Sequence, residues 1–249
     1  MSEKHEFYIY GRNPIIDKLT RNADEVSKVY IKEGTNDSQI KHIQHLCSET
    51  KVPVSFVPGR KLSEMVGRGV NDQGVVALTS PVAYSDFEDW RKEADPTTNP
   101  VIVALSEIED PGNFGAIMRS AAAAGVDAIL IPKHRQVPIT PAVIKTSAGT
   151  AGIVPLVRVG NLNQSISELK DSGFWIAGLD ATAESPIWNH DFNRPLVLIL
   201  GSEGKGIREA TLKLCDLRLK IPMMNQIDSL NVAATAAVIL FEILRQKQS

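Results

Sequence analysis

Residues 101–131, Val-Ile-Val-Ala-Leu-Ser-Glu-Ile-Glu-Asp-Pro-Gly-Asn-Phe-Gly-Ala-Ile-Met-Arg-Ser-Ala-Ala-Ala-Ala-Gly-Val-Asp-Ala-Ile-Leu-Ile, decide how this chain folds. The stretch opens with a continuous apolar run, Val101–Leu105, which reads as a strand covered on both faces. Asp110 with Pro111 behind it marks a helix start. The carboxylate can cap free N–H groups, and proline at the first helical position needs no N–H partner. A helix over about 112–124 follows, and Ala128–Ile131 is a second apolar strand. Strand, helix and strand at this spacing form one crossover of a parallel sheet.

Downstream the same alternation repeats. Strands are expected at Val154–Val159, Phe174–Leu179, Leu196–Leu200 and Leu217–Ile221. Helices are expected at about 141–150, 161–172, 206–215 and 229–247. The pattern predicts an α/β domain with a mostly parallel sheet and helices on both faces. Ligands of such sheets bind beyond the carboxyl ends of the strands. Upstream, Ser80–Trp90 and Asp95–Pro100 combine Pro, Ser, Thr and Asn with acidic residues and read as a linker. Before it lies a small α/β domain. Lys28–Lys32, Val54–Val57 and Val75–Leu78 read as its strands, and Asp37 caps a helix to about Thr50 with Ile40, Ile43 and Leu46 on one face. The expected division is 1–80, a linker at 81–99, and 100–249.

The chain has 249 residues, 43% hydrophobic and 22% charged, an ordinary globular composition. Its net charge of −2 divides into +1 for residues 1–80, −3 for 81–100 and zero for 101–249. That excludes an indiscriminate polyanion binder and leaves room for a local basic patch. The two cysteines, Cys47 and Cys215, cannot make a disulfide framework or a zinc cluster. The start, Met1–Glu6, has no apolar signal segment, and the longest apolar run, Val232–Phe241, is too short to span a bilayer. The expectation is a cytoplasmic protein with no membrane contact. His42 and His45 stand three apart with no third ligand nearby, so no metal site is expected.

Three strand ends carry the chemistry. After Val101–Leu105 come Asn113, Gly115 and Arg119. Gly115 and Arg119 are four apart and share a helix face. Two readings stay open: a capped helix with a surface arginine, or a partly enclosed arginine that takes an anion. After Leu196–Leu200 comes Gly201-Ser202-Glu203-Gly204-Lys205-Gly206, a glycine turn that lets backbone approach a ligand. It is neither a dinucleotide fingerprint nor a P-loop. Glu203 would repel a phosphate and suits hydroxyls or a positive centre. After Leu217–Ile221 comes Pro222-Met223-Met224-Asn225-Gln226-Ile227-Asp228-Ser229-Leu230-Asn231. Asp228 or Ser229 can cap the last helix, with Asn231 in its first turn. That helix is apolar nearly all round, so it is buried or packs on a second subunit.

Taken together, Asn113-x-Gly115-x-x-x-Arg119, Gly201–Gly206 and Ile221-Pro222-Met223 with Ser229-Leu230-Asn231-Val232 resemble the three motifs of the SpoU (TrmH-type) RNA methyltransferases. The resemblance covers roughly residues 100–247. The front domain, with Tyr10-Gly11-Arg12-Asn13-Pro14 and Gln73-Gly74-Val75-Val76-Ala77, resembles the substrate-binding domain of ribosomal RNA members such as the RlmB-type guanosine methylases. The resemblance implies a SPOUT-type trefoil knot binding S-adenosyl-L-methionine, a homodimer through the C-terminal domain, and methylation of a ribose 2′-hydroxyl in large-subunit (23S) ribosomal RNA. Where the family has glycine this chain has Asn225, the side chain that best tolerates a left-handed backbone.

The resemblance also implies roles. Gly201, Gly204, Ile221, Met223 and Leu230 would hold the cofactor. Arg119 would serve catalysis, with Asn113, Glu203, Ser229 and Asn231 orienting it and the ribose. An arginine is a poor base, its pKa lying above ~12, so stabilising a developing alkoxide is its better role. Candidate RNA contacts are Arg12, Lys61 and Arg68 in front, and Lys133, His134 and Arg135 after the second strand. Competing readings are a transfer RNA methylase, a non-catalytic RNA- or ribosome-binding relative, and a nucleotide-dependent oxidoreductase. The last lacks its glycine fingerprint.

Overall fold

The computed structural model describes residues 7–67, 69–134, 136–202, 204–225 and 227–248. In chain order the first elements are β1 (Phe7–Tyr10), α1 (Arg12–Arg21), β2 (Val26–Lys32), α2 (Ser38–Glu49), β3 (Val54–Val57), α3 (Gly59–Val66) and β4 (Val75–Thr79). Next come β5 (Ser85–Asp86), α4 (Phe87–Glu93), β6 (Val101–Leu105), α5 (Pro111–Ala123), β7 (Ala128–Pro132), α6 (Pro141–Thr146) and β8 (Leu156–Val159). The chain closes with α7 (Leu162–Asp171), β9 (Trp175–Leu179), β10 (Ser185–Pro186), β11 (Leu196–Leu200), α8 (Glu209–Leu212), β12 (Leu217–Lys220) and α9 (Val232–Lys247).

These elements group into two compact units. One comprises the described residues up to Val82 together with Ile139–Ala151; the other holds Ala83–Pro138 and Gly152 onward. The grouping cuts the chain differently from the boundaries read off composition. Part of the expected linker, β5 and α4, belongs to the second unit, because Ser85 and Asp86 pair with Val157 and Arg158 and Phe87 is buried in that unit's core. Residues 139–151, expected with the C-terminal domain, group with the first unit. Ile144 there is buried in one cluster with Ile9, Ile15, Val29, Ile31, Ile40 and Ile43.

The first unit is a four-stranded sheet in the order β1-β4-β2-β3, antiparallel except for β2 and β3. Period-two alternation places Val29 and Ile31 of β2 in the main core and Tyr30 on the opposite face. Asp37 caps α2 as expected, accepting from the N–H groups of Gln39 and Ile40.

The second unit is an eight-stranded sheet in the order β10-β12-β9-β11-β6-β7-β8-β5, and every described pairing is parallel. All five residues of β6 and of β11 are buried, so the two central strands are covered on both faces. Ile102, Ala104, Ala128, Leu130, Val197 and Ile199 share one core with Phe87 of α4, Ile166 and Leu169 of α7, and Leu212 of α8. At roughly 1.5–3 kcal/mol per fully buried large apolar side chain, this layer dominates the unit's stability. The remaining two helices, α5 and α9, pack on each other.

Three expected helices are shorter than their patterns suggest. α6 ends at Thr146 because Ala148 and Gly149 take left-handed backbone, at φ 50 and 82°. α8 spans four residues rather than 206–215, because Ser202 and Gly206 bridge each other and hold the chain before it in a tight hairpin. α9 begins at Val232, not 229, because its cap is Asn231.

Candidate active site

Strands β6 and β11 are neighbours, and the Ser106 N–H donates to the Leu200 carbonyl at 2.8 Å, carrying the pairing one residue past β6. Their carboxyl ends therefore emerge together. The loop from β6 runs through Glu107, which holds a left-handed φ of 62°, to Asp110. Asp110 caps α5 by accepting from the Asn113 N–H at 2.7 Å. That bond sets the first turn of α5 and hence the direction of the Asn113 side chain.

Asn113 meets Asn231 across 118 residues of sequence: the Asn231 Nδ2 donates to the Asn113 Oδ1 at 2.9 Å. Asn231 is oriented from its other end. Its Oδ1 accepts from the N–H groups of Ala233 and Ala234 at 2.9 and 3.3 Å, as an N-cap does. With the oxygen committed to the helix, the amide must face outward. The expected caps, Asp228 and Ser229, are both exposed and precede the helix by several residues.

The glycine turn after β11 is a tight hairpin. Ser202 and Gly206 exchange backbone hydrogen bonds at 3.1 and 3.0 Å. A Cβ on Gly201 would fall on the Gly206 carbonyl group, closer than a side chain can approach, so only glycine closes this turn. Glu203 lies outside the described residues, as do Arg68 and Arg135. After β12, Asn225 takes φ 57°, the left-handed conformation expected of it. Ile221 and Met223 are half-buried in this loop, and Leu230 is 39% exposed.

Between the first two loops is a cleft of about 250 Å³ lined by Glu107, Glu109, Asp110, Asn113, Ser202 and Lys205, with Val232 at its base. The volume lies just below the roughly 300–1,000 Å³ of ligand clefts. Its charge is mainly acidic, with Lys205 as the one cation in the described lining. Such a cleft suits hydroxyls or a positive centre better than a bare phosphate. Of the expected residues, Asn113 lines it directly. Gly201 and Gly204 belong to its hairpin wall. Asn231 reaches it through Asn113.

Arg119 has the surface position, one of the two readings that its spacing leaves open. It is exposed and makes no hydrogen bond or ion pair among the described residues. The buried stripe of α5 is Phe114, Gly115, Ile117, Met118 and Ala121, and Arg119 stands beside it. Arg12 is held internally: its guanidinium donates to Asp37 at 2.6 Å, to Gln39 at 3.1 Å and to the Gln73 carbonyl at 3.2 Å. Lys61 and Lys133 are exposed with no ion pair among the described residues. Sequence reasoning assigned nothing to Glu107, Ser202 or Arg208. Glu107 and Ser202 each stand two residues past the carboxyl end of a strand, β6 and β11, which is the signal that points to them. No group of three or more metal-ligating side chains and no membrane-length apolar helix occurs among the described residues.

Residues 100–241 match the SpoU rRNA Methylase family, and residues 8–85 match a domain described as RNA 2′-O ribose methyltransferase substrate binding. The chain is 36% identical over 248 residues to YacO of Bacillus subtilis (strain 168), named as a TrmH family tRNA/rRNA methyltransferase. The match covers 99% of this chain and 98% of that one. A protein of Staphylococcus haemolyticus (strain JCSC1435) with the same family name is 35% identical, covering 97% and 96%. Among solved structures, an RNA 2′-O ribose methyltransferase superposes with a TM-score of 0.82 at 26% identity, covering 99% of this chain and 90% of that one. The SpoU methyltransferase AviRb from Streptomyces viridochromogenes, solved with AdoMet, shares the fold at a TM-score of 0.77 and 23% identity, covering 98% and 91%.

Proposed function

The chain belongs to the SpoU rRNA methylase family, and from that premise we propose that it transfers the methyl group of S-adenosyl-L-methionine to the ribose 2′-hydroxyl of a guanosine in large-subunit (23S) ribosomal RNA. The observation that carries the reading is the Asn113–Asn231 hydrogen bond, which joins the first and third motifs beside an acidic cleft.

The cofactor fits the residues present. The Gly201 turn, where a Cβ would strike the Gly206 backbone, keeps the hairpin wall tight against the cleft, and the carboxylates of Glu109 and Asp110, beside the Arg208-paired Glu107, favour a cationic ligand. In this reading the backbone at Gly201, Gly204, Ile221, Met223 and Leu230 holds it. When bound, S-adenosylmethionine supplies a methyl group already activated by its sulfonium centre. Asn113 and Asn231, together with Ser229 and Glu203, would orient the ribose hydroxyl toward the methyl group the cofactor would supply. Arg119 stabilises the negative charge that develops on the ribose oxygen. It makes no ion pair among the described residues, and a second copy packed on α9 would enclose it. The exposed Phe241, a large apolar side chain on the helix that buries Ile239, Leu240 and Ile243, supports such a homodimer. The trefoil knot of the family and cytoplasmic residence belong to the same reading.

Methyl transfer from labelled S-adenosylmethionine to total RNA of a strain lacking the gene, followed by nucleoside analysis, tests it. Label in 2′-O-methylguanosine of large-subunit ribosomal RNA is expected. Label confined to transfer RNA keeps the chemistry and replaces the substrate. Cofactor binding without transfer to RNA or to assembled ribosomal particles supports a non-catalytic relative. Arg119→Ala is expected to abolish transfer while the cofactor still binds; near-normal turnover would remove Arg119 from the mechanism.

A further inference from the structure

The C-terminal unit carries a second cleft, on the other side of Glu107 from the first. It lies beyond the carboxyl ends of β6 and β7 and is bounded by the start of α7 and the turn before α8. Ser106, Glu107, His134, Asn163, Arg208 and Thr211 line it. Its volume of about 180 Å³ exceeds the ~30 Å³ share of one water several times over, so it can admit a tetrahedral anion.

The polar lining is rich in donors. Ser106 is only 5% exposed, and its hydroxyl has no hydrogen-bond partner among the described residues. The hydroxyl borders the open cleft, so it can hydrogen-bond a ligand oxygen there. The Asn163 Oδ1 accepts from the Thr211 hydroxyl at 2.7 Å, which leaves its NH2 group to face elsewhere. Arg208 pairs with Glu107, and at 54% side-chain exposure its guanidinium keeps further N–H groups available. That pair also neutralises the carboxylate in the wall. His134 stands exposed at the rim beside Lys133.

We infer that this cleft binds a backbone phosphodiester of the RNA, next to the nucleotide whose ribose enters the first cleft. The inference rests on the methyl-transfer reading, since it takes RNA as the ligand. A guanidinium, a hydroxyl and a side-chain amide around one cleft are the groups that recognise phosphate oxygens. Glu107 borders both clefts, so a ribose in one and its neighbouring phosphate in the other would straddle it. The Glu107–Arg208 pair then opens toward the phosphate, and Arg208 exchanges a carboxylate for a phosphate.

Binding of the wild type, Arg208→Gln, Glu107→Gln and Ser106→Ala to a large-subunit ribosomal RNA transcript and to bulk transfer RNA is measured from ~50 to ~200 mM salt, alongside wild-type methyl transfer. Arg208→Gln is expected to weaken binding and to flatten the slope of log Kd against log salt by about 0.7–0.9. Glu107→Gln, which frees Arg208, is expected to tighten binding. Ser106→Ala, a change small enough to leave the fold intact, is expected to weaken binding about tenfold with the slope kept. If Arg208 only pairs with Glu107, Arg208→Gln and Glu107→Gln shift binding the same way and the slope stays at the wild-type value. That result, with methyl transfer intact, overturns the phosphate site and leaves the enzyme reading standing. A wild type that neither binds nor methylates either RNA overturns both.

Discussion

Asn231 has two roles that can be separated by substitution. Its oxygen caps α9 and its amide holds Asn113. Asn231→Ala should lower stability by about 1 kcal/mol through the lost cap. Asn113→Ala leaves that cap in place and should change stability by less than about 0.5 kcal/mol. Both should cost transfer on the order of 10²-fold, as expected when a positioned group moves by about 1 Å. Urea unfolding with single-turnover kinetics checks the pair; equal stability losses would mean that Asn113 also supports the fold. Gly201 is constrained by its neighbour rather than by φ. In Gly201→Ala the new Cβ displaces the Gly206 carbonyl group, so the hairpin must open. Loss of cofactor binding by calorimetry, with α9 still folded by circular dichroism, is the expected outcome.

Among the elements, α9 is fixed at both ends by side chains. At its carboxyl end the Glu242 carboxylate accepts from Arg245 at 2.8 and 2.9 Å and from Gln246 at 2.7 Å. Gln246 in turn donates to the His190 carbonyl at 3.0 Å and accepts from the Phe192 N–H at 2.9 Å. The Arg245 and Gln246 hydrogen bonds pull the Glu242 pKa from 4.5 to about 2. A carboxylate held below its unfolded value stabilises the fold above pH ~4.5, and that contribution is lost as pH falls toward 2. Glu242→Gln should therefore narrow the difference in urea midpoint between pH 7 and pH 3. An unchanged difference would show that the clamp does not hold in solution. Gln246→Ala leaves the Phe192 N–H without its partner and should cost about 1–3 kcal/mol.

For the molecule as a whole, the segment Ile139–Ala151 is the notable feature. It lies in sequence between β7 and β8, strands of the second unit, yet its Ile144 is buried in the core of the first. Lys145 donates to the Asn71 carbonyl at 2.9 Å and lies 5.0 Å from the centre of the Tyr10 ring. Gly149 closes onto Asp17 with no room for a Cβ, at a φ of 82° that disfavours other residues. Ile144→Ala should destabilise the first unit by about 2–5 kcal/mol. Hydrogen exchange should accelerate in residues 7–82 and stay unchanged in β6 and β11. Equal acceleration in both places would mean that the units unfold together.

Period and composition alone determined the parallel α/β class, since Val101–Leu105 and Leu196–Leu200 are apolar at every position and must be covered on both faces. They also determined the front domain, the Asp37 and Asp110 caps and the strand ends that carry the loops. All of these depend on neighbours a few residues apart. Only the tertiary structure decided that Asn231 rather than Ser229 caps α9, that Arg119 stands exposed, that Arg12 is held by Asp37, and that residues 139–151 join the first unit. Each of these depends on a partner tens of residues away or on a competition between adjacent candidates. Local propensity carries no information about such contacts, because they form only when the sheet has brought distant loops to one edge.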